Sequence, residues 1–139
     1  MILTRSVRAV LLMGLALGYW LAIFALTHLP SHHLPRATGY DKLHHAAAFG
    51  GLAMVLCLAA SGMGRAGAKL FLIVILLGAV YGGIDELTQQ LVPGRTADFF
   101  DWLADVAGLL LGIGIFQILR QLWTGGERED LDAGQAGGG

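Results

Sequence analysis

The chain has 139 residues, of which 55% are hydrophobic and only 14% charged, with a mean hydropathy of +0.66. That balance excludes an ordinary soluble domain, and a formal net charge of -1 without any basic stripe excludes nucleic acid as a partner. What remains is an all-α membrane protein.

A helix needs about 20 mostly apolar residues to cross a hydrocarbon core of roughly 30 Å, and four stretches qualify, at about 8–27, 43–61, 70–91 and 102–122. Arg5 and Arg8 precede the first, as in a signal peptide. The stretch exceeds the usual signal core of about 7 to 15 residues and ends in Thr27-His28-Leu29-Pro30 without a small-x-small cleavage site, so the helix is expected to stay. Pro30 and Pro35 bracket a loop carrying His32 and His33. Cys57, the only cysteine, lies inside the second stretch, which rules out an intramolecular disulfide and predicts a packed thiol. Gly62, Gly64 and Gly67 loosen the next turn, and Pro93-Gly94 ends the third helix. Gly14 with Gly18, Gly78 with Gly82 and Gly108 with Gly112 are four apart, a spacing that lets helices approach closely in lipid. The domain reading is a short basic N-terminus at 1–7, a four-transmembrane-helix bundle at 8–122, and a polar tail at 123–139. Its Gly125-Gly126 pair and acidic cluster predict disorder.

With four spans both termini share one side. Arg5, Arg8, Arg65, Lys69, Arg120 and Arg128 fall on that side, and Arg36, Lys42 and Arg95 on the other. The positive-inside rule therefore makes both termini cytoplasmic and turns loops 28–42 and 92–101 outward.

Asp85 and Glu86 stand side by side in the third apolar stretch. Each charge at the centre of a bilayer costs roughly 2.5 to 3.5 kcal/mol on insertion scales, so the pair calls for a reason. Counting rise from Lys69 puts Asp85 about 24 Å up the helix, near the outer interface. Asp41, Lys42, His44 and His45 open the second span at the same level, and Asp98, Asp101 and Asp105 open the fourth. Because successive spans alternate direction, these groups gather at one end of the bundle. Helical spacing puts Asp85 with Gln89 on one face, Glu86 with Gln89 and Gln90, Asp41 with His44 and His45, and Asp101 with Asp105. Six acids (Asp41, Asp85, Glu86, Asp98, Asp101, Asp105) face three bases (Arg36, Lys42, Arg95), a local charge of -3 with histidines neutral. Bound protons, a divalent cation or a cationic ligand would each offset it. A structural role, with the acids pairing with Arg95, Lys42 or histidines at helix ends, competes with a functional one. His28, His32 and His33 are read as interfacial, Asp105 as a helix-helix hydrogen-bonding group. No fixed metal signature, nucleophile elbow, P-loop or paired-cysteine motif occurs.

Three motifs occur in order: Tyr40-Asp41-Lys42-Leu43-His44-His45; Asp85-Glu86 with Gln89, running to Pro93-Gly94-Arg95; and Asp101 with Asp105 and Gly108. Over about residues 20–116 they resemble the VanZ-like family of bacterial integral membrane proteins. Where that family usually carries asparagine this chain has Asp105. The resemblance implies a cell-envelope protein of the bacterial cytoplasmic (inner) membrane, of the type associated with resistance to the glycopeptide teicoplanin.

The leading expectation is an outward polar pocket formed by Asp41, Lys42, His44, Asp85, Glu86, Gln89, Arg95, Asp101 and Asp105. It would engage a membrane lipid, a lipid-linked envelope precursor or a glycopeptide, with Arg95 and Lys42 holding an anionic head. If a reaction occurs, His44, Asp85 and Glu86 are the acid-base candidates. Two alternatives are an enzyme acting on phosphate-bearing lipids, with an optional divalent metal, and a small proton- or cation-coupled transporter. The transporter reading is weakened because no acid lies at the midplane. Four short helices enclose little volume, which admits a homodimer.

Overall fold

A computed structural model describes the backbone of residues 5–29 and 40–136, with side chains over 7–29 and 40–125. Four helices follow one another: α1 (Arg5–Thr27), α2 (Asp41–Gly62), α3 (Ala68–Gln89) and α4 (Phe99–Ala136). Each contains a stretch long and apolar enough to span a membrane, and the described residues form no strand. At 1.5 Å per residue, the 22 residues of α2 and of α3 extend about 33 Å, enough to cross the hydrocarbon with little tilt. The expected loop prolines and His32, His33 and Arg36 lie outside the described residues.

The helix ends follow local chemistry. Asp98 precedes α4, and its Oδ1 accepts the Phe100 N–H at 2.8 Å, an N-cap that satisfies one of the free amides of the first turn. After α3, Arg95 N–H donates to the Val92 carbonyl at 3.1 Å, with Pro93 and Gly94 between them. Gly94 has φ +80°, the left-handed value that the third residue of a type II turn requires. At its far end α4 departs from the sequence reading. Helical backbone continues to Ala136 through the segment expected to be a disordered tail. Glycine weakens a helix by only about 1 kcal/mol, and Glu127, Arg128, Glu129 and Leu131 are all good helix formers.

α2 and α4 form the tightest pair. A Cβ on Gly108 would collide with the Ala46 carbonyl, and one on Gly112 with that of Gly50. The two backbones touch there, so the small residues at these positions are a packing requirement. On α3, Gly78 lies under the Leu109 side chain and Gly82 under Phe49 and Asp105. Gly14 and Gly18 differ, since among the described residues nothing lies within 4 Å of an added Cβ and no neighbouring helix packs onto that face. Phe49, Leu52, Ala53, Cys57, Val74, Leu109, Ile113 and Phe116 make the apolar core, with Cys57 packed as a small hydrophobe. α1 rests mainly on α2 through Tyr19 and Ile23. Large apolar side chains such as Leu11, Leu76, Leu111 and Leu119 point outward, as a lipid-facing surface demands.

Candidate functional site

The polar residues of all four helices meet at the end of the bundle that holds the 90–98 turn, and most are buried. Asp85 is 1% exposed. Its Oδ1 accepts the Thr27 hydroxyl at 3.0 Å, reaching across to α1, and its Oδ2 accepts the Gln89 amide at 3.0 Å. His28 Nδ1 stands 3.7 Å from Asp85, while its Nε2 lies 3.0 Å from the Thr88 hydroxyl. One helical turn separates Asp85 from Gln89, which is why a single α3 face supplies both the acid and its donor.

Glu86 turns toward α4. Its Oε2 accepts the Asp98 backbone N–H at 2.9 Å and its Oε1 the Gln89 amide at 3.2 Å. Beside it, His45 of α2 places Nδ1 2.9 Å from Asp105 Oδ1 and 3.9 Å from Glu86 Oε1. Asp105 is fully buried, its Oδ2 lying over Gly82 with no hydrogen-bond partner among the described residues. The absent side chain at Gly82 leaves room for this carboxylate.

Nearer the surface, Lys42 Nζ donates to Asp101 Oδ1 at 2.9 Å and to Asp98 Oδ2 at 3.0 Å. The Phe100 N–H and the Lys42 ammonium hold the Asp98 carboxyl below its ordinary value of 3.8. Trp102 Nε1 donates to the Ala79 carbonyl at 2.9 Å and ties the first turn of α4 to α3. Arg95 Nε donates to the Leu29 carbonyl at 3.3 Å, linking the turn to the end of α1.

A groove of about 380 Å³ runs between α1 and α2. Tyr19, Ile23 and Leu26 give it an apolar wall, Asp41, His44 and Arg95 a polar rim, and Thr27 and His45 connect it to the buried acids. The family model described as VanZ/LLP1 matches residues 18–120. The chain belongs to that family. The matched stretch contains the whole polar cluster and the three motifs that suggested the resemblance, and it makes this a multi-pass membrane protein of the VanZ type. Comparison with curated proteins and with solved structures gives no match.

In this VanZ/LLP1 chain Asp85, Glu86, Gln89, Asp101 and Asp105 are all buried at one end, as their spacing implies. Two other expected site residues sit differently. Lys42 is engaged by Asp98 and Asp101, and His44 is exposed on the groove rim while its neighbour His45 turns inward. The sequence carries the signal for that exchange. His45 begins the stripe continued by Phe49, Leu52, Ala53 and Cys57, the buried face of α2, and His44 falls about 100° away from it. Thr27 has no sequence pattern pointing across to Asp85, and His28, read from sequence as interfacial, instead stands beside Asp85 and Thr88.

Proposed function

We propose that this VanZ/LLP1 protein holds the head of a cell-envelope amphiphile in the groove between α1 and α2, in the outer leaflet of the bacterial cytoplasmic membrane. The ligand chemistry is a long apolar tail joined to an anionic or glycosylated head. Both a lipid-linked cell-wall precursor and a lipid-tailed glycopeptide of the teicoplanin type have it. One observation carries the reading: apolar side chains line one wall of the groove, and Arg95 and His44 stand at its rim. Its size lies in the range of about 300 to 1,000 Å³ common for small-molecule sites. Arg95 is steadied through Nε by the Leu29 carbonyl, and its terminal amino groups bond nothing among the described residues. A guanidinium so placed suits bidentate contact with phosphate or carboxylate. Lys42, already between two carboxylates, is not assigned to the ligand.

The test is binding to purified protein in vesicles, with a polyprenyl phosphate, the matching polyprenol and a labelled teicoplanin-type glycopeptide as three arms. A charged hydrogen bond is worth about 1.5 to 3 kcal/mol, so Arg95→Ala should weaken the bound amphiphile roughly 10- to 100-fold. Preference for the phosphate over the alcohol points to the lipid precursor, and glycopeptide binding alone to the antibiotic. Unchanged affinity in Arg95→Ala, or no binding in any arm, overturns the proposal. A second reading is catalytic, favoured by the 2.9 Å contact between His45 and Asp105, which resembles a base held by an orienting carboxylate. Release of inorganic phosphate in the first arm would establish it.

A further inference from the structure

The buried acids are not equally provided for. Asp85 receives donors from Thr27 and Gln89 on its two oxygens, and Asp101 receives the Lys42 ammonium. Glu86 likewise receives the Asp98 N–H and the Gln89 amide, so the shortfall falls on Asp105, which clusters with His45 and Glu86, one residue from each of α2, α3 and α4. All three are buried, and each offers a ligand atom within 4.8 Å of the other two. Nitrogen and oxygen ligands bind a divalent ion at about 2.0 to 2.2 Å, which spaces neighbouring ligand atoms roughly 3 to 4 Å apart. The 3.9 Å separation of His45 Nδ1 from Glu86 Oε1 suits that spacing, and the 2.9 Å contact of Nδ1 with Asp105 Oδ1 is a hydrogen bond that a bound ion would replace.

A second observation points the same way. Asp105 Oδ2 is buried with no hydrogen-bond partner among the described residues, although buried carboxylate oxygens ordinarily have one. Glu86 is meanwhile aimed by the Gln89 amide and the Asp98 N–H, the kind of outer contact that orients metal-binding carboxylates. One neutral imidazole with two carboxylates balances a charge of +2. The set has no thiolate, which favours zinc or manganese over softer ions.

We propose that His45, Glu86 and Asp105 bind one divalent ion, zinc or manganese, at the junction of α2, α3 and α4. The site does not depend on the amphiphile reading, since it is argued from the buried ligand atoms of His45, Glu86 and Asp105 and not from the groove rim. His45 also lines the groove, so the ion sits within one side chain of whatever the groove holds.

The experiment uses the purified full chain in detergent, stripped with chelator and titrated with zinc or manganese by calorimetry, with metal content measured after dialysis. One ion per chain is expected. Glu86→Gln and Asp105→Asn should abolish stoichiometric uptake, and Gln89→Leu, which removes a donor from Asp85 and releases the orientation of Glu86 without touching a ligand atom, should weaken it roughly 10- to 100-fold. Failure of wild type to retain metal, or unchanged uptake in Glu86→Gln and Asp105→Asn, overturns the proposal. If those variants do not fold, cobalt added to wild type decides. A visible spectrum distinct from that of the hydrated ion supports the site, and the spectrum of free hydrated cobalt overturns it.

Discussion

Asp98 does three things with one residue. Its Oδ1 caps α4, its Oδ2 holds Lys42, and its backbone N–H fixes Glu86. Because the carboxyl is held below its ordinary value of 3.8, its contribution to stability is fully present above that value. It is lost as pH falls through the lower, folded-state value. Asp98→Asn should therefore unfold at a lower temperature than wild type at pH 7, by a small margin that salt reduces, since the side chain is largely exposed. The two proteins should converge as the pH drops below about 3.8, followed by tryptophan fluorescence. A gap that persists unchanged in strong acid would show that charge plays no part. Glu86 is insulated from that change, since its contact is with the Asp98 main chain.

At the scale of elements, the α2–α4 crossing is the least forgiving contact. Gly108→Ala drives a methyl into the Ala46 carbonyl, and overpacking of this kind typically costs about 1 to 3 kcal/mol. Gly14→Ala meets nothing and should be neutral or gain about 0.5 to 1 kcal/mol through helix propensity. Thermal unfolding in detergent compares them, and equal behaviour would count against the close crossing. From sequence, both glycine pairs look the same. Spacing marks a helix face as smooth, but whether another helix lies on it depends on how α1 leans, which no local pattern encodes. The same limit explains the site. Four spans, and acids gathered at one end, follow from hydropathy and alternating direction alone, so Asp85, Glu86, Gln89 and Asp105 were legible. Which of His44 and His45 enters the bundle depends on rotation of α2 about its axis, and the engagement of Lys42 on the position of Asp98 one turn before Asp101. Neither shows in a count of charges.

At the scale of the whole bundle, many leucines face outward while Asp85, Glu86, Asp101 and Asp105 are buried at one end. The carboxylates are tolerable because each helix carries what another lacks. Glu86 depends on the Asp98 N–H, and His45 on Asp105, and both of those partners lie in or just before α4. A ribosome makes α4 after α1, α2 and α3. The first three helices thus enter the bilayer with an imidazole that lacks its partner and a carboxylate held by the Gln89 amide alone, and newly made chains pass through an unfinished three-helix stage. A chain stopped after Arg95 should insert yet fail to accumulate, cleared by quality-control proteases, whereas co-expressing α4 as a separate segment from Thr96 onward should restore it. Pulse-chase labelling reads both outcomes, and a stable three-helix fragment would show that the polar end can be completed without α4.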